Sequence, residues 1–145
     1  MYRIEESNDY MKISTLFNQS GLEVEISERP VGQPLKMYAC FDEQGNLAAA
    51  SHLGLRDGVY VLEGLAVRDD LRGTGLGQKL MGLALDEARR LGATEVWGCA
   101  KVPDYYKKFG WDVVDDVRNV PSISHCQECP QFQVDCFPAI IKFVF

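Results

Sequence analysis

The chain has 145 residues, 46% of them apolar and 25% charged, with a formal net charge of −6. That length suits a single domain, residues 1–145, around one core. The acidic balance argues against nonspecific nucleic-acid binding, which needs a basic surface, and is compatible with cationic, amine-bearing partners. No apolar run is long enough to span a bilayer, and the polar start MYRIEESNDY has no signal-peptide core, so no membrane partner and a cytoplasmic location are expected.

Tyr2 to Glu5 reads as a short first strand. Ser7 is placed to cap a helix running to about Ser20, with Tyr10, Ile13, Leu16 and Phe17 as its apolar stripe. Residues 21–34 lose periodicity and contain Pro30, Gly32 and Pro34, so they form a loop or a broken second helix. Leu35–Phe41, Leu47–Leu55 and Val59–Val67 read as strands. Asp42-Glu43-Gln44-Gly45-Asn46 and Arg56-Asp57-Gly58 are the turns of this antiparallel meander. Gly64 inside the third of these strands suggests a bulge or a close backbone approach.

The most informative stretch follows. The apolar run Leu62–Val67 ends in a charged turn, then comes Arg72-Gly73-Thr74-Gly75-Leu76-Gly77, and a helix begins at once. Leu76, Leu80, Leu83, Ala84, Ala88 and Leu91 recur at helical spacing, Lys79, Asp86, Arg89 and Arg90 take the opposite face, and Gly92 ends the helix. Strand, glycine turn, helix is the order that aims backbone N–H groups and a helix N-terminus at an anion. A P-loop is excluded because Gln78 separates Gly77 from Lys79. A dinucleotide fingerprint is excluded because Gln78 stands where its last glycine belongs.

Beyond the helix, Glu95–Ala100 is a short buried strand, parallel to the strand before the crossover helix. Pro103 and Asp104 open a helix that ends near Phe109-Gly110; Trp111–Val117 and Ile140–Phe145 are the last strands.

Arg72-x-x-Gly75-x-Gly77 directly after a strand, followed by Tyr105-Tyr106-Lys107-Lys108-Phe109-Gly110-Trp111, resembles the two signatures of the GNAT superfamily of acyl-CoA-dependent N-acyltransferases. The resemblance covers roughly residues 1–117 and the last strand. It implies an α/β fold: a mixed, mostly antiparallel central sheet flanked by helices, with a splayed parallel strand pair where pantetheine enters. It also implies acetyl-CoA as donor and a primary amine, on a small molecule or a protein, as acceptor. A homodimer is common in the family.

Transfer of an acyl group from a thioester to an amine requires loss of an amine proton, stabilisation of an oxyanion and protonation of the leaving thiolate. The resemblance puts the thioester carbonyl against backbone N–H groups of Leu65, Ala66 and Val67. It puts the pyrophosphate on the turn Arg72, Gly73, Thr74, Gly75, Leu76 and Gly77, and makes Tyr106 the acid. A tyrosine, protonated at neutral pH, needs no tuning for that role; Tyr105 reads as its packing neighbour. Glu63 interrupts an apolar strand, on the face of Val61 and Leu65 if the strand is regular, and is the candidate base with an expected raised pKa; an ion pair with a lysine or arginine is the other reading. His52 reads as structural. The alternative to an enzyme is a non-catalytic acyl-CoA- or metal-binding sensor on the same fold.

The chain departs from the family pattern in two places. Gly98-Cys99-Ala100-Lys101 stands where many members carry an asparagine. Residues 119–138 form an insert holding His125, Cys126, Cys129 and Cys136. Cys126-x-x-Cys129 has zinc-knuckle spacing and Cys136 adds a third thiolate, so zinc is one reading and free thiols or a redox pair the other. Cys40 and Cys99 fall in apolar strand patterns and are expected in the core.

Overall fold

The structure, a computed structural model, describes residues 2–22, 24–30, 32–100, 102–114 and 139–145. Strand β1 spans Arg3–Glu6, helix α1 Tyr10–Gln19, and strands β2, β3 and β4 span Gln33–Phe41, Leu47–Arg56 and Val59–Val67. A short 3₁₀ turn, Asp69–Leu71, precedes helix α2, Leu76–Arg90. Strand β5, Glu95–Ala100, helix α3, Pro103–Lys107, and strands β6, Asp112–Val114, and β7, Ala139–Val144, follow. Among the described residues the strands form one sheet in the order β1-β2-β3-β4-β5-β7-β6. Every neighbouring pair is antiparallel except β4–β5, because α2 carries the chain back across the sheet between those two.

The two faces are covered by different helices. Tyr10, Ile13, Leu16 and Phe17 of α1 pack on Met37, Ala50 and Ala66, so the predicted stripe is the buried one. Asp9, not Ser7, caps α1: its carboxylate accepts from the Lys12 N–H at 3.3 Å, while the Ser7 hydroxyl accepts from the Asp9 N–H. Both residue types can cap a helix. On the other face α2 buries Leu80, Met81, Ala84 and Ala88. The Ser51 hydroxyl donates to the Leu80 carbonyl at 3.1 Å. Glu87 is also buried there, held by Arg90 and by Lys36 of β2 at 3.3 Å. These cations, Arg90 foremost, keep its carboxyl below the usual range. Leu91, placed by periodicity on the apolar stripe, is 41% exposed, because α2 has already ended at Arg90.

Residues 22 and 24–30 adopt no helix, so this stretch is a loop. The Ser14 hydroxyl accepts from the Ser27 N–H at 3.0 Å, and Asn18 donates to the Val24 carbonyl, so α1 holds the loop against the sheet. The expected strand from Trp111 is β6, described as far as Val114. Trp111 is 2% exposed, and its indole N–H donates to Met81 Sδ at 3.2 Å.

Candidate active site

The site begins with a fault in β4. His52 pairs with Gly64 and Leu53 with Leu62, which leaves Glu63 as an extra residue in the ladder. The bulge turns Glu63 and Gly64 both toward the α1 side. Val61 shares that side, whereas Leu65 packs toward Leu80 of α2; a regular strand would have put Leu65 with Glu63. Glycine is required at 64 because a methyl there would stand 2.7 Å from Cζ and 2.8 Å from Cδ2 of Phe17. Both readings of Gly64 therefore hold: the strand bulges beside it, at Glu63, and α1 approaches it closely.

Beyond the bulge β4 leaves β5. The two strands pair only at Val61–Trp97 and Leu62–Gly98, and a gap opens past those residues. The Arg68 N–H bonds the Ala48 carbonyl of β3 at 2.8 Å. Strand alternation then turns the N–H groups of Ala66 and Gly64 toward β3, and those of Val67 and Leu65 into the gap. Of the three residues expected to meet the thioester, Leu65 and Val67 line the cavity, whereas Ala66 is 5% exposed against α1.

The glycine turn closes one end of the gap. Gly73 and Gly75 have φ of 81° and 85°, a left-handed conformation that favours glycine, and Gly75 caps α2 without a side chain. The first intrahelical bond runs from the Lys79 N–H to the Gly75 carbonyl. The N–H groups of Leu76, Gly77 and Gln78, at the positive end of the helix, are therefore outside the helical ladder. Arg68 fixes the turn by pairing with Asp42 at 3.0 Å and Asp70 at 2.6 Å. Arg72 pairs with Asp69 at 3.1 Å on the surface. Thr74 is internal to the turn: its hydroxyl donates to the Leu71 carbonyl at 2.5 Å.

Both tyrosines of α3 reach the cavity. The Tyr106 ring lies edge-on to Trp111 at 5.7 Å and to Tyr105 at 5.4 Å. Burial, then the neighbouring Tyr105, pushes its hydroxyl up to about 12, so it is protonated throughout the physiological range. Tyr105 does more than pack: its hydroxyl sits directly over Gly77, where any side chain would collide with it. The sequence signal for this contact was the glycine itself, the one glycine of the turn that is helical with ordinary φ.

On the α1 side of the bulge Glu63 is not alone. Arg56 Nε donates to Glu63 Oε2 at 2.8 Å, so the carboxylate is ion-paired in the cavity wall. Gly54 provides the room, since a methyl there would stand 2.9 Å from Glu63 Cγ. His52 is 2% exposed, lies edge-on to Tyr10 at 5.5 Å, and has no hydrogen-bond partner at either ring nitrogen. Burial, then the Arg56 charge, pushes it down to about 4, so the imidazole is neutral. Sequence reasoning singled out neither Arg56 nor Gly54. Their sole signal was position, at the hairpin that faces Glu63.

These parts share one open cavity of about 1020 Å³. It runs from the glycine turn, past the splayed strands and Tyr106, to Tyr10, His52, Arg56 and Glu63. Cys99 lines it, while Cys40 is fully buried as expected. Among the described residues no group of three or more His, Cys, Asp or Glu side chains is placed to hold a metal ion. His125, Cys126, Cys129 and Cys136 lie outside the described residues. No helix among the described residues is long and apolar enough to cross a membrane.

The sequence matches the Acetyltransferase (GNAT) family over residues 6–111. The chain belongs to the GNAT family of acetyltransferases. No curated protein matches it in sequence. Among solved structures, Arabidopsis thaliana Naa50 in complex with the bisubstrate analogue CoA-Ac-MVNAL is similar with a TM-score of 0.71 at 16% identity, covering 99% of each chain. The PaiA N-acetyltransferase of Thermoplasma acidophilum, in complex with coenzyme A, is similar with a TM-score of 0.69 at 13% identity, covering 100% of this chain and 99% of the other. A nourseothricin acetyltransferase is similar with a TM-score of 0.66 at 19% identity, covering 99% and 98%. At these identities the likeness is one of fold, and it agrees with the GNAT arrangement of mostly antiparallel strands around the β4–β5 pair.

Proposed function

We propose that the chain transfers the acetyl group of acetyl-CoA to a primary amine by direct attack. The observation that carries this reading is the convergence, on one cavity, of the glycine turn, the open β4 edge and the Tyr106 ring. The pyrophosphate sits on the uncommitted N–H groups at the start of α2. Pantetheine passes between β4 and β5, and the thioester oxygen meets the N–H groups of Leu65 and Val67, which stabilise the oxyanion. The acceptor ammonium gives its proton to Glu63 through water. The freed nitrogen lone pair attacks the carbonyl carbon, and the tetrahedral intermediate collapses with cleavage of the C–S bond. The departing thiolate takes the Tyr106 hydroxyl proton, and the acetylated nitrogen, which still carries one proton too many after attack, releases it through water to restore the tyrosine.

Thiol release from acetyl-CoA across an amine panel tests the reading. Turnover with at least one amine class, reduced on the order of 10²-fold in Tyr106→Phe, is expected. CoA binding without turnover of any amine would instead support a non-catalytic acyl-CoA sensor.

A further inference from the structure

The acceptor end of the cavity carries more polar machinery than proton removal needs. Arg56 binds Glu63 through Nε alone among the described residues. A guanidinium presents five N–H donors in a rigid fork, so four donors on Nη1 and Nη2 remain uncommitted. The side chain is only 18% exposed and lines the cavity, which makes those donors more valuable than on an open surface. Gly32 leaves room for the Arg56 aliphatic stem, since a methyl there would lie 3.2 Å from Arg56 Cγ.

The second observation is independent. His52 lines the same chamber with both ring nitrogens buried and unpartnered. A buried hydrogen-bonding group left without a partner is unfavourable in a native fold, so it marks a place where a ligand or its bound water supplies the partner. Burial and the Arg56 charge keep this imidazole neutral, which leaves it one donor and one acceptor rather than two donors. Tyr10 forms the wall beside it, close enough to feel the charges of both Glu63 and Arg56.

We infer that the acceptor is a free α-amino acid, whose carboxylate docks on the Arg56 fork while its amine faces Glu63. An α-amino acid carries both charges on one carbon, so its complement is a cation and an anion side by side. Arg56 and Glu63 stand that way, 2.8 Å apart. Bidentate Arg–carboxylate pairing sets orientation as well as affinity, and would aim the amine at the gap where the thioester lies. An amine with no neighbouring anion would leave the fork unsatisfied, and a peptide N-terminus offers an amide at that position. The inference rests on the acetyltransferase reading for its chemistry, but the carboxylate subsite is testable without turnover.

The test has two arms. In the first, thiol release is measured at saturating acetyl-CoA for the common amino acids and for their carboxamides, in wild type and Arg56→Gln. At least one amino acid should exceed its amide in kcat/KM by tenfold or more, mainly through KM. In Arg56→Gln that ratio should fall to within about threefold of one; taking the ratio cancels any loss that comes from releasing Glu63. Equal turnover of acids and amides, or an unchanged ratio in the variant, overturns the inference. In the second arm, wild-type protein saturated with CoA is titrated calorimetrically with N-acetyl amino acids and their amides. Absence of turnover in the first arm counts against the acetyltransferase reading alone. Tenfold tighter binding of an acid than its amide still supports the subsite, whatever the fate of the variant, and equal or undetectable binding of both removes it.

Discussion

Gly64→Ala probes the contact that joins the bulge to α1. The added methyl would meet Phe17 at 2.7 and 2.8 Å from two ring carbons and nearer still to a third. Phe17 is 0% exposed, so its ring has no free space to swing into, and either its rotamer or the seat of α1 must change. Overpacking of this type costs about 1–3 kcal/mol, and the multiple ring contacts argue for about 2. For a chain of this size that is a fall in Tm of about 8 °C, read by calorimetry or circular dichroism. Phe17→Leu removes the obstructing ring edge, so the double variant should be more stable than the sum of the single losses by about 1 kcal/mol or more. Displacing α1 also moves Tyr10 at the acceptor end, whereas the glycine turn lies at the other end of the cavity. Acceptor KM should therefore rise while CoA affinity changes less than about twofold. An unchanged Tm in Gly64→Ala, or strictly additive losses in the double variant, would refute the packing argument.

Gly75→Asp places a side chain and a negative charge at the left-handed cap of α2, and calorimetry should show CoA affinity reduced tenfold or more, about 1.4 kcal/mol. Tyr106→Phe keeps the ring on Trp111 and should lower kcat on the order of 10²-fold with CoA affinity nearly intact; full activity would reduce Tyr106 to a packing residue. His52 has a folded pKa of about 4 against 6.5 unfolded, so its contribution to stability is complete above pH 6.5 and is lost as pH falls toward 4. Denaturant titrations should show wild type losing about 3 kcal/mol more than His52→Gln across that window, and parallel curves would contradict the burial argument. For the cysteine insert, elemental analysis of protein prepared under reducing conditions is expected to find about one zinc per chain, lost in Cys129→Ser; no metal and no uptake on titration would leave three thiols.

The element order was legible because its signals are local. A glycine-rich turn between an apolar run and an amphipathic stripe reads as strand, turn, helix, whereas the arrangement of the sheet came from the family resemblance. The stripe of Tyr10, Ile13, Leu16 and Phe17 is buried for the same reason: period alone sets which side of a helix is apolar. Local chemistry does not choose between Ser7 and Asp9 as the cap, since both satisfy it. Periodicity places Leu91 on the stripe but carries no information on where the helix stops.

What the sequence determined by itself was the order of elements, a glycine turn at a helix start and an irregularity at Gly64, each from residues within a few positions of one another. Tyr106 as the acid candidate came from the family resemblance. Only the tertiary structure decided that Arg56 holds Glu63, that Gly54 makes room for it, that Tyr105 sits over Gly77, and that His52 stands unpartnered beside Tyr10. These contacts join different elements across the sheet, and their register depends on one extra residue in β4. That residue reverses which side chains share a face, and a pattern of alternating residues cannot show where it falls.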